Sequence, residues 1–554
     1  MADEVAFNLS TQQQETSFEF SSRQYTYIPD QNSGSYPNGS VVFDLASLAN
    51  SGKFWDPRQS FLTIPLVMNL NVAAGGITAA NAENVFAMSL KNGYHHLINS
   101  LSVEITNNQV VNLTNLSNLD IHYRLVSTMS GEDVANIGPS IGFAKDNAES
   151  ITYAAAGTVA GIGEINNNIK DALFTPTGGW KAARQLVNQG RIQRMNNTSF
   201  DPSVSVFSNV NSCGVAGKNY AVQSATNITY YIIATLPLRF LHSIFDKLPL
   251  AKGIYCRLII NTNCQSSSTL TLGTNGTLYT GISTTSQSNT LPFMVSQQGA
   301  GFGLVAGGTA TSLVASIGIG KSVSGSLSHP TLQSCRVYAC MYEMSPAFEE
   351  QYFSIVPTKK ILYNDILSFQ VLNVQAGQSF SQILTNGVSR ARYLLIVPQL
   401  SSVINGSAAV TDTTNSGVVV GTPMNSPFSS SPGTCCPHAF ITNFNVLLSG
   451  TNLYQSNINY RFENWLMENR QSNALNGGLS LGMSSGLLNQ SDFENGYGYI
   501  YVDLSRKISQ ASDDISRSVQ IVGSNSSAVS VDYYCIIGYE RELTLSTSTG
   551  SLVI

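Results

Sequence analysis

The chain is 554 residues long, 43% of them hydrophobic and only 11% charged, with a formal net charge of −5. That length holds two or more domains with full cores; a charge content under half of the usual roughly 25% excludes a basic, nucleic-acid-packaging chain and fits a surface largely covered by neighbours, because desolvating charge is costly. Ser, Thr, Asn and Gly carry the polarity instead, which suits strands, turns and long loops better than helices.

The opening MADEVAFNLSTQQQ is polar and acidic, so residues 1–15 read as a flexible arm and not as a signal peptide. On that reading the eight cysteines (213, 256, 264, 335, 340, 435, 436 and 535, with no C-x-x-C) are reduced and intracellular, several of them small apolar residues inside strands. SFLTIPLVMNL (Ser60–Leu70) is the first strong strand, and INSLSVEITNNQVVN (Ile98–Asn112) alternates as a half-buried one. His95 and His96 just before it are read as strand neighbours facing opposite sides, hence solvated or separately satisfied and not a metal pair. SNLDIHYRLV follows, with Ser117 as N-cap and Leu119, Tyr123 and Val126 on one face of an amphipathic helix lying on a sheet.

A Gly/Ser/Thr/Asn-rich insertion runs from Gly142 to Gln223, then the aromatic strand NITYYIIATL (Asn227–Leu236). PLRFLHSIFDKL places Leu238, Leu241, Phe245 and Leu248 on one helical face, with Pro249 as a stop, and GIYCRLIINTN is the next strand. A second insertion covers Asn263–Gln333; within it the uncharged Gly303–Gly320 is expected to be a flexible surface loop and not a membrane span. ASIGIGKS (Ala315–Ser322) has the Gly-Lys-Ser of a phosphate loop but Ala315 in place of its first glycine and no helix after it, so the expectation there is again a flexible loop. VYACMYEM closes this half. In MSPAFEEQYFSIVP, Ser345 as N-cap, Pro346 at the first helical position and Glu349 and Glu350 in the first turn predict a short linking helix.

The second half repeats the first. ITNFNVLLSGTNLYQ (Ile441–Gln455) aligns with Ile98–Asn112 without a gap at an offset of 343 (441 − 98), setting Leu101 on Phe444, Val103 on Val446, Ile105 on Leu448 and Val110 on Leu453. Before it, RYLLIVPQL (Arg392–Leu400) matches Ser60–Leu70, and a smaller insertion spans Ser401–Pro437. After it, SNINYRFENWL carries Ser456 as cap and Ile458, Phe462, Trp465 and Leu466 at helical spacing. YGYIYVDL, the weaker helix signal SRKISQASDDIS, the strand RSVQIVGSN and the closing YYCIIGYEREL then repeat the remaining elements in order. Five kinds of element recurring in one order mean a duplicated all-β unit with long loops gathered at one end.

Units of about 200 residues built of short strands and Gly/Asn turns point to eight-stranded sandwiches of the jelly-roll type. SGKFWDPRQSFLTIPLVMNL, FDKLPLAKGIYCRLIINTN and YYCIIGYERELTL, together with the tandem order, resemble the double jelly-roll major capsid proteins of eukaryotic DNA viruses, of the polinton-like virus and virophage type. The likeness spans essentially the whole chain. It implies an all-β fold of two tandem eight-stranded jelly rolls with short accessory helices: an arm over 1–15, the first roll over 16–344 with tower insertions at about 142–223 and 263–333, a linker helix over 345–358, and the second roll over 359–554 with an insertion at about 401–437. It implies a structural, non-enzymatic capsid protein of the virion, assembled inside the host cell, whose partners are itself as a homotrimer, neighbouring capsomers, a penton or vertex protein and minor cement proteins. Sequence-specific nucleic-acid contact is not implied, and contact with an internal membrane is left open by these segments.

No catalytic, cofactor-binding or metal-binding residue is assigned. Cys435-Cys436-Pro437-His438 is the most metal-like cluster but lacks a second pair at ligand spacing; a reactive thiol pair in a loop is the other reading. Cys335 and Cys340, five apart on one strand, face opposite sides and are not expected to bridge. Glu349–Glu350 and Asp513–Asp514 read as helix-terminus charges. No Ser/His/Asp arrangement and no facing carboxylate pair can be named. The alternative function is a carbohydrate-binding or adhesin-like double β-sandwich, favoured by Gly/Asn-rich loops and 24 tyrosines, disfavoured by the linked duplication.

Overall fold

The computed structural model describes residues 20–73, 88–112, 115–143, 219–223, 227–272, 279–285, 290–295, 312–355, 357–401, 441–471, 486–508, 514–527 and 530–546, with short pieces within 152–166, 410–433 and 552–553. The arm over 1–15, most of Gly142–Gln223 and Cys435–His438 lie outside the described residues.

The first half is a sandwich of two sheets. Its strands are β1 (Phe20–Pro29), β2 (Ser40–Asp44), β3 (Phe54–Ala73), β4 (Ile98–Ile105), β5 (Asn108–Val111), β6 (Asn227–Pro237), β7 (Cys256–Thr262) and β8 (Arg336–Met344). One sheet runs β1-β8-β3-β6, the other β2-β7-β4-β5, all antiparallel. β3 shows why: Leu62, Ile64, Leu66, Met68 and Leu70 recur every second residue and are all buried, so one face of the pleat enters the core.

The second half repeats this arrangement. β9 (Thr358–Val374), β10 (Ser379–Val388), β11 (Ala391–Leu400), β12 (Ile441–Leu448), β13 (Thr451–Asn452), β14 (Ile500–Asp503), β15 (Arg517–Asn525) and β16 (Val531–Ser546) form sheets β9-β16-β11-β14 and β10-β15-β12-β13. Strand n of the first half and strand n + 8 of the second hold the same place in their sheets. The offset between Ile98–Asn112 and Ile441–Gln455 is thus the offset between β4-β5 and β12-β13.

Several expectations change. The strand Ser312–Ile319 pairs with β3 from Leu66 to Ala73, along the edge that β8 covers from Phe54 to Thr63, and two further strands, Ser266–Leu272 and Tyr279–Thr285, extend that sheet. The described part of Gly303–Gly320 is therefore a strand, not a flexible loop: Leu313, Ala315 and Ile317 alternate inward and are buried. PLRFLHSIFDKL breaks at the extended His242 into two single turns, Leu238–Leu241 and Ile244–Lys247, although its four apolar residues are buried as expected.

Helix α1 (Ser117–Thr128) begins after Leu116 in a left-handed conformation, with Ser117 Oγ donating to Asn99 O instead of capping. Helix α2 (Pro346–Ile355) follows Ser345, whose Oγ accepts from Phe348 N. Helix α3 begins at Phe462 (Phe462–Gln471), not at Ser456, because Ile458 exchanges both backbone hydrogen bonds with Phe444 and commits that stretch to the sheet.

Candidate assembly interface

The two sandwiches interlock at two junctions. At the first, α1 is buried from Ser117 to Ser127 except at Arg124, unlike the half-exposed helix its periodicity predicts. The second half takes Leu119, Tyr123 and Val126 into its own core and also meets Asp120. Trp465 Nε1 on α3 donates to Tyr123 Oη at 3.0 Å, Tyr123 Oη donates to Asn469 Oδ1 at 3.1 Å, and Tyr393 Oη on β11 donates to Asp120 Oδ1 at 2.9 Å. Tyr501 stacks on both Tyr123 and Tyr393, each at 5.5 Å. Burial pushes the Tyr123 and Tyr393 hydroxyls well above their ordinary pKa, so both stay protonated donors.

At the second junction, Tyr363 Oη and Arg541 Nη1 both donate to Val110 O, at 2.7 and 2.6 Å. Asp365 on β9 accepts from Tyr539 Oη at 3.2 Å and lies 3.3 Å from Arg541 Nη1 and 3.4 Å from His242 Nε2 of the first half. Ile361, Tyr363, Leu543 and Leu545 join the core of the first sandwich. A cleft of about 720 Å³ opens between the junctions, its walls including Arg124, Arg239, Asp246 and Arg392. Arg124 and Arg392 are spoken for by Asp120 (3.0 Å) and Glu540 (3.2 Å), as fits a structural seam.

The outer faces are apolar where edges are free. β1 and β9 end their sheets on one side, β2 and β10 on the other. β1 and its neighbours carry an exposed aromatic ladder: Tyr25 and Tyr27 are 48% and 57% exposed, Phe61 stacks on Tyr338 at 4.9 Å, and Phe20 packs on Tyr342 at 4.8 Å. Arg336 and Arg23 lie over Tyr27 and Tyr25 at 4.9 and 5.5 Å. On the second half Leu362, Leu372 and Ile383, on β9 and β10, are exposed. An exposed apolar edge strand is a site for pairing with another chain.

No protein-family model and no curated relative matches the chain. Among solved structures it is similar to a chain of the Sputnik virophage, with a TM-score of 0.52 and 13% identity, over 97% of this chain and 89% of that one. The fold is a double jelly roll. The Faustovirus major capsid protein also matches, at TM-score 0.44 and 11% identity, over 94% of this chain and 90% of that one.

The double jelly roll places the sequence motifs as follows. Cys256, Cys335, Cys340 and Cys535 are buried and free, and burial pushes the Cys256 thiol up to about 12. Glu349 lies in the first turn of α2 and pairs with Lys252; Asp514 pairs with Arg390 at 2.6 Å. The Gly-Lys-Ser stretch turns out of the strand Ser312–Ile319. Gly320 has φ +65°, and a Cβ there would meet Gln333 O at 2.1 Å, so only glycine fits. No helix follows, and Ser322 closes the turn by accepting from Leu327 N. The expected flexible loop is a pinned turn.

His329, fully buried beside that turn, accepts at Nδ1 from Thr331 N and Leu332 N at 3.3 and 3.2 Å. Burial lowers its pKa to about 4. The unfolded imidazole titrates near 6.5, so between about pH 6.5 and 4 the unfolded chain binds the extra proton and this residue removes stability as pH falls, by at most about 3 kcal/mol. Urea melts should show His329→Asn, whose Oδ1 keeps the acceptor, losing less stability than wild type between pH 7 and 4.5; equal losses refute the assignment.

His95 and His96 were expected on a strand, on opposite faces. They lie instead in a 3-10 turn, Tyr94–Leu97, both buried, with ring centroids 4.2 Å apart. His122 of α1 joins them. Asn118, Asp120 and His122 of that helix are buried as well, Asn118 and His122 against the first half and Asp120 against Tyr393 of the second.

Proposed function

We propose that the chain is a major capsid protein that self-assembles into trimers, whose six jelly rolls approximate a hexagon and tile an icosahedral shell. The repetition of one strand order in both halves carries this reading: two near-equivalent rolls per chain give three chains sixfold-like contacts, while each roll remains free to diverge. Exposed aromatic and aliphatic residues on β1, β9 and β10, and the scarcity of charge, support extensive self-contact. So does the likeness to a chain of the virophage particle. It is a structural and not a catalytic role, in the virion, and the carbohydrate-binding alternative gains no support from the structural neighbours.

The rolls are proposed to divide at 16–344 and 359–554, joined through 345–358, with the insertions at 142–223 and 263–333 as towers on the outer end and 401–437 as a smaller one. Vertex and cement proteins are the proposed further partners, and assembly takes place inside the host cell. Light scattering on the purified full-length chain should give three times 59.4 kDa, and negative-stain images should show hexagonal outlines. A stable monomer at micromolar concentration overturns the proposal.

A further inference from the structure

His95, His96 and His122 bring one ring nitrogen each to within 4.8 Å of one another, and all three are fully or almost fully buried. His95 Nε2 and His122 Nδ1 are 3.0 Å apart. In a tetrahedral site with Zn–N of about 2.0–2.1 Å, ligand nitrogens stand roughly 3.3 Å apart, so closing the triad on an ion takes only small side-chain movements. Three imidazoles from two elements, a 3-10 turn and α1, make a donor set that suits zinc.

The surroundings are shaped around the rings. Gly93 has φ +99°, and a Cβ on it would strike His95 Cε1 at 2.2 Å; a Cβ on Gly433, from the second half of the chain, would stand 2.5 Å from Tyr499 Oη and 3.0 Å from His122 Cδ2. Two glycines therefore admit the imidazoles where any side chain would displace them. Asn118 Nδ2 lies 3.3 Å from His96 Nδ1 and 3.0 Å from Thr290 Oγ1. The amide can turn to offer its oxygen to an Nδ1–H, which leaves Nε2 as the ligand atom of His96 and supplies the outer partner that metal-bound imidazoles require. Tyr499 Oη, fully buried on the Cδ2 side of His122, has no hydrogen-bond partner among the described residues.

We propose that His95, His96 and His122 form a structural zinc site at the seam between the two jelly rolls. The ion would tie the 3-10 turn to α1, the helix on which the second roll is built, and its burial makes the role structural.

The test uses the full-length chain, stripped with a chelator and reconstituted with zinc chloride or cobalt chloride. Mass spectrometry of the metal should return about one zinc per chain, cobalt should give the visible absorption of a tetrahedral ion, and melting should shift up by several degrees on zinc addition. His96→Gln should lose the ion and the zinc-dependent shift while keeping the β-sheet circular dichroism. Should that variant not fold, chelator titration of the wild type gives the decision: zinc release with a lower melting temperature supports the site. Less than about 0.1 zinc per chain after reconstitution, a melting temperature indifferent to zinc and chelator, or full zinc retention in His96→Gln overturns it; the triad then holds only protons.

Discussion

Replacing Asp365 with Ala is expected to cost about 3–5 kcal/mol of stability, because it removes one partner from a buried charge cluster. The carboxylate is fully buried; it meets Arg541, His242 and Tyr539, and accepts from Ile366 N at 2.9 Å. Burial alone pushes this carboxyl up, but the contact with His242, the Ile366 N–H and the Arg541 charge outweigh it and hold the pKa below the ordinary value. The sign follows: the contribution is complete above about pH 4 and is lost as pH falls through the folded pKa. Its window lies below that of His329, so the two are separable by titration. Because Asp365 links β9 to His242 of the first roll, calorimetry of Asp365→Ala should also show the single unfolding transition split in two. Asp365→Asn, which keeps shape and one acceptor, should cost about 1–3 kcal/mol. An unchanged urea midpoint for Asp365→Ala would mean the junction carries no energy.

The second large effect is expected at Trp465. Truncation to Ala empties a fully buried site between Phe462 and Phe493 and leaves Tyr123 Oη without its donor, a loss of about 3–5 kcal/mol. Tyr123→Phe alone removes the hydroxyl that joins Trp465 to Asn469 and should cost about 1–3 kcal/mol. The informative quantity is the coupling. Trp465 and Tyr123 belong to different rolls, and a double-mutant cycle should return an interaction of about 0.5–3 kcal/mol. Additivity within roughly 0.3 kcal/mol would show that the hydrogen bond across the seam does not stabilise it.

Much of the architecture is legible in the sequence because a sheet's side-chain period is two and survives divergence. Leu101, Val103 and Ile105 point inward as Phe444, Val446 and Leu448 do, although only Val103 and Val446 are the same residue. The strand Ser312–Ile319 reads as a loop from sequence because Ser312, Ser316 and Gly318 occupy three of its four alternate positions and Gly, Thr and Ser crowd the residues before it. Helix starts failed where tertiary hydrogen bonds overrode local signals: Ser456 has a good capping side chain, but the Ile458–Phe444 bridge holds its neighbourhood extended. The histidine triad was not legible at all. His95 and His96 are adjacent, His122 lies beyond the two strands β4 and β5, and only the close approach of α1 to the 3-10 turn brings the rings together. Nothing in the spacing of apolar residues on α1 tells whether that face packs on its own roll or, as here, in the core of the second.

In each roll the first strand pairs with the last: Phe20 faces Met344 in β1-β8, and Thr358 faces Ser546 in β9-β16. A nascent chain leaving the ribosome therefore cannot close the first sheet until residue 344 has emerged, and α1 keeps its apolar face wetted until α3 and β14 follow. Synthesis delivers these halves one after the other, but the first becomes a finished body only when the second arrives. That delay sets a window of exposed, adhesive edges, in which chaperones have their work and from which self-association must be withheld.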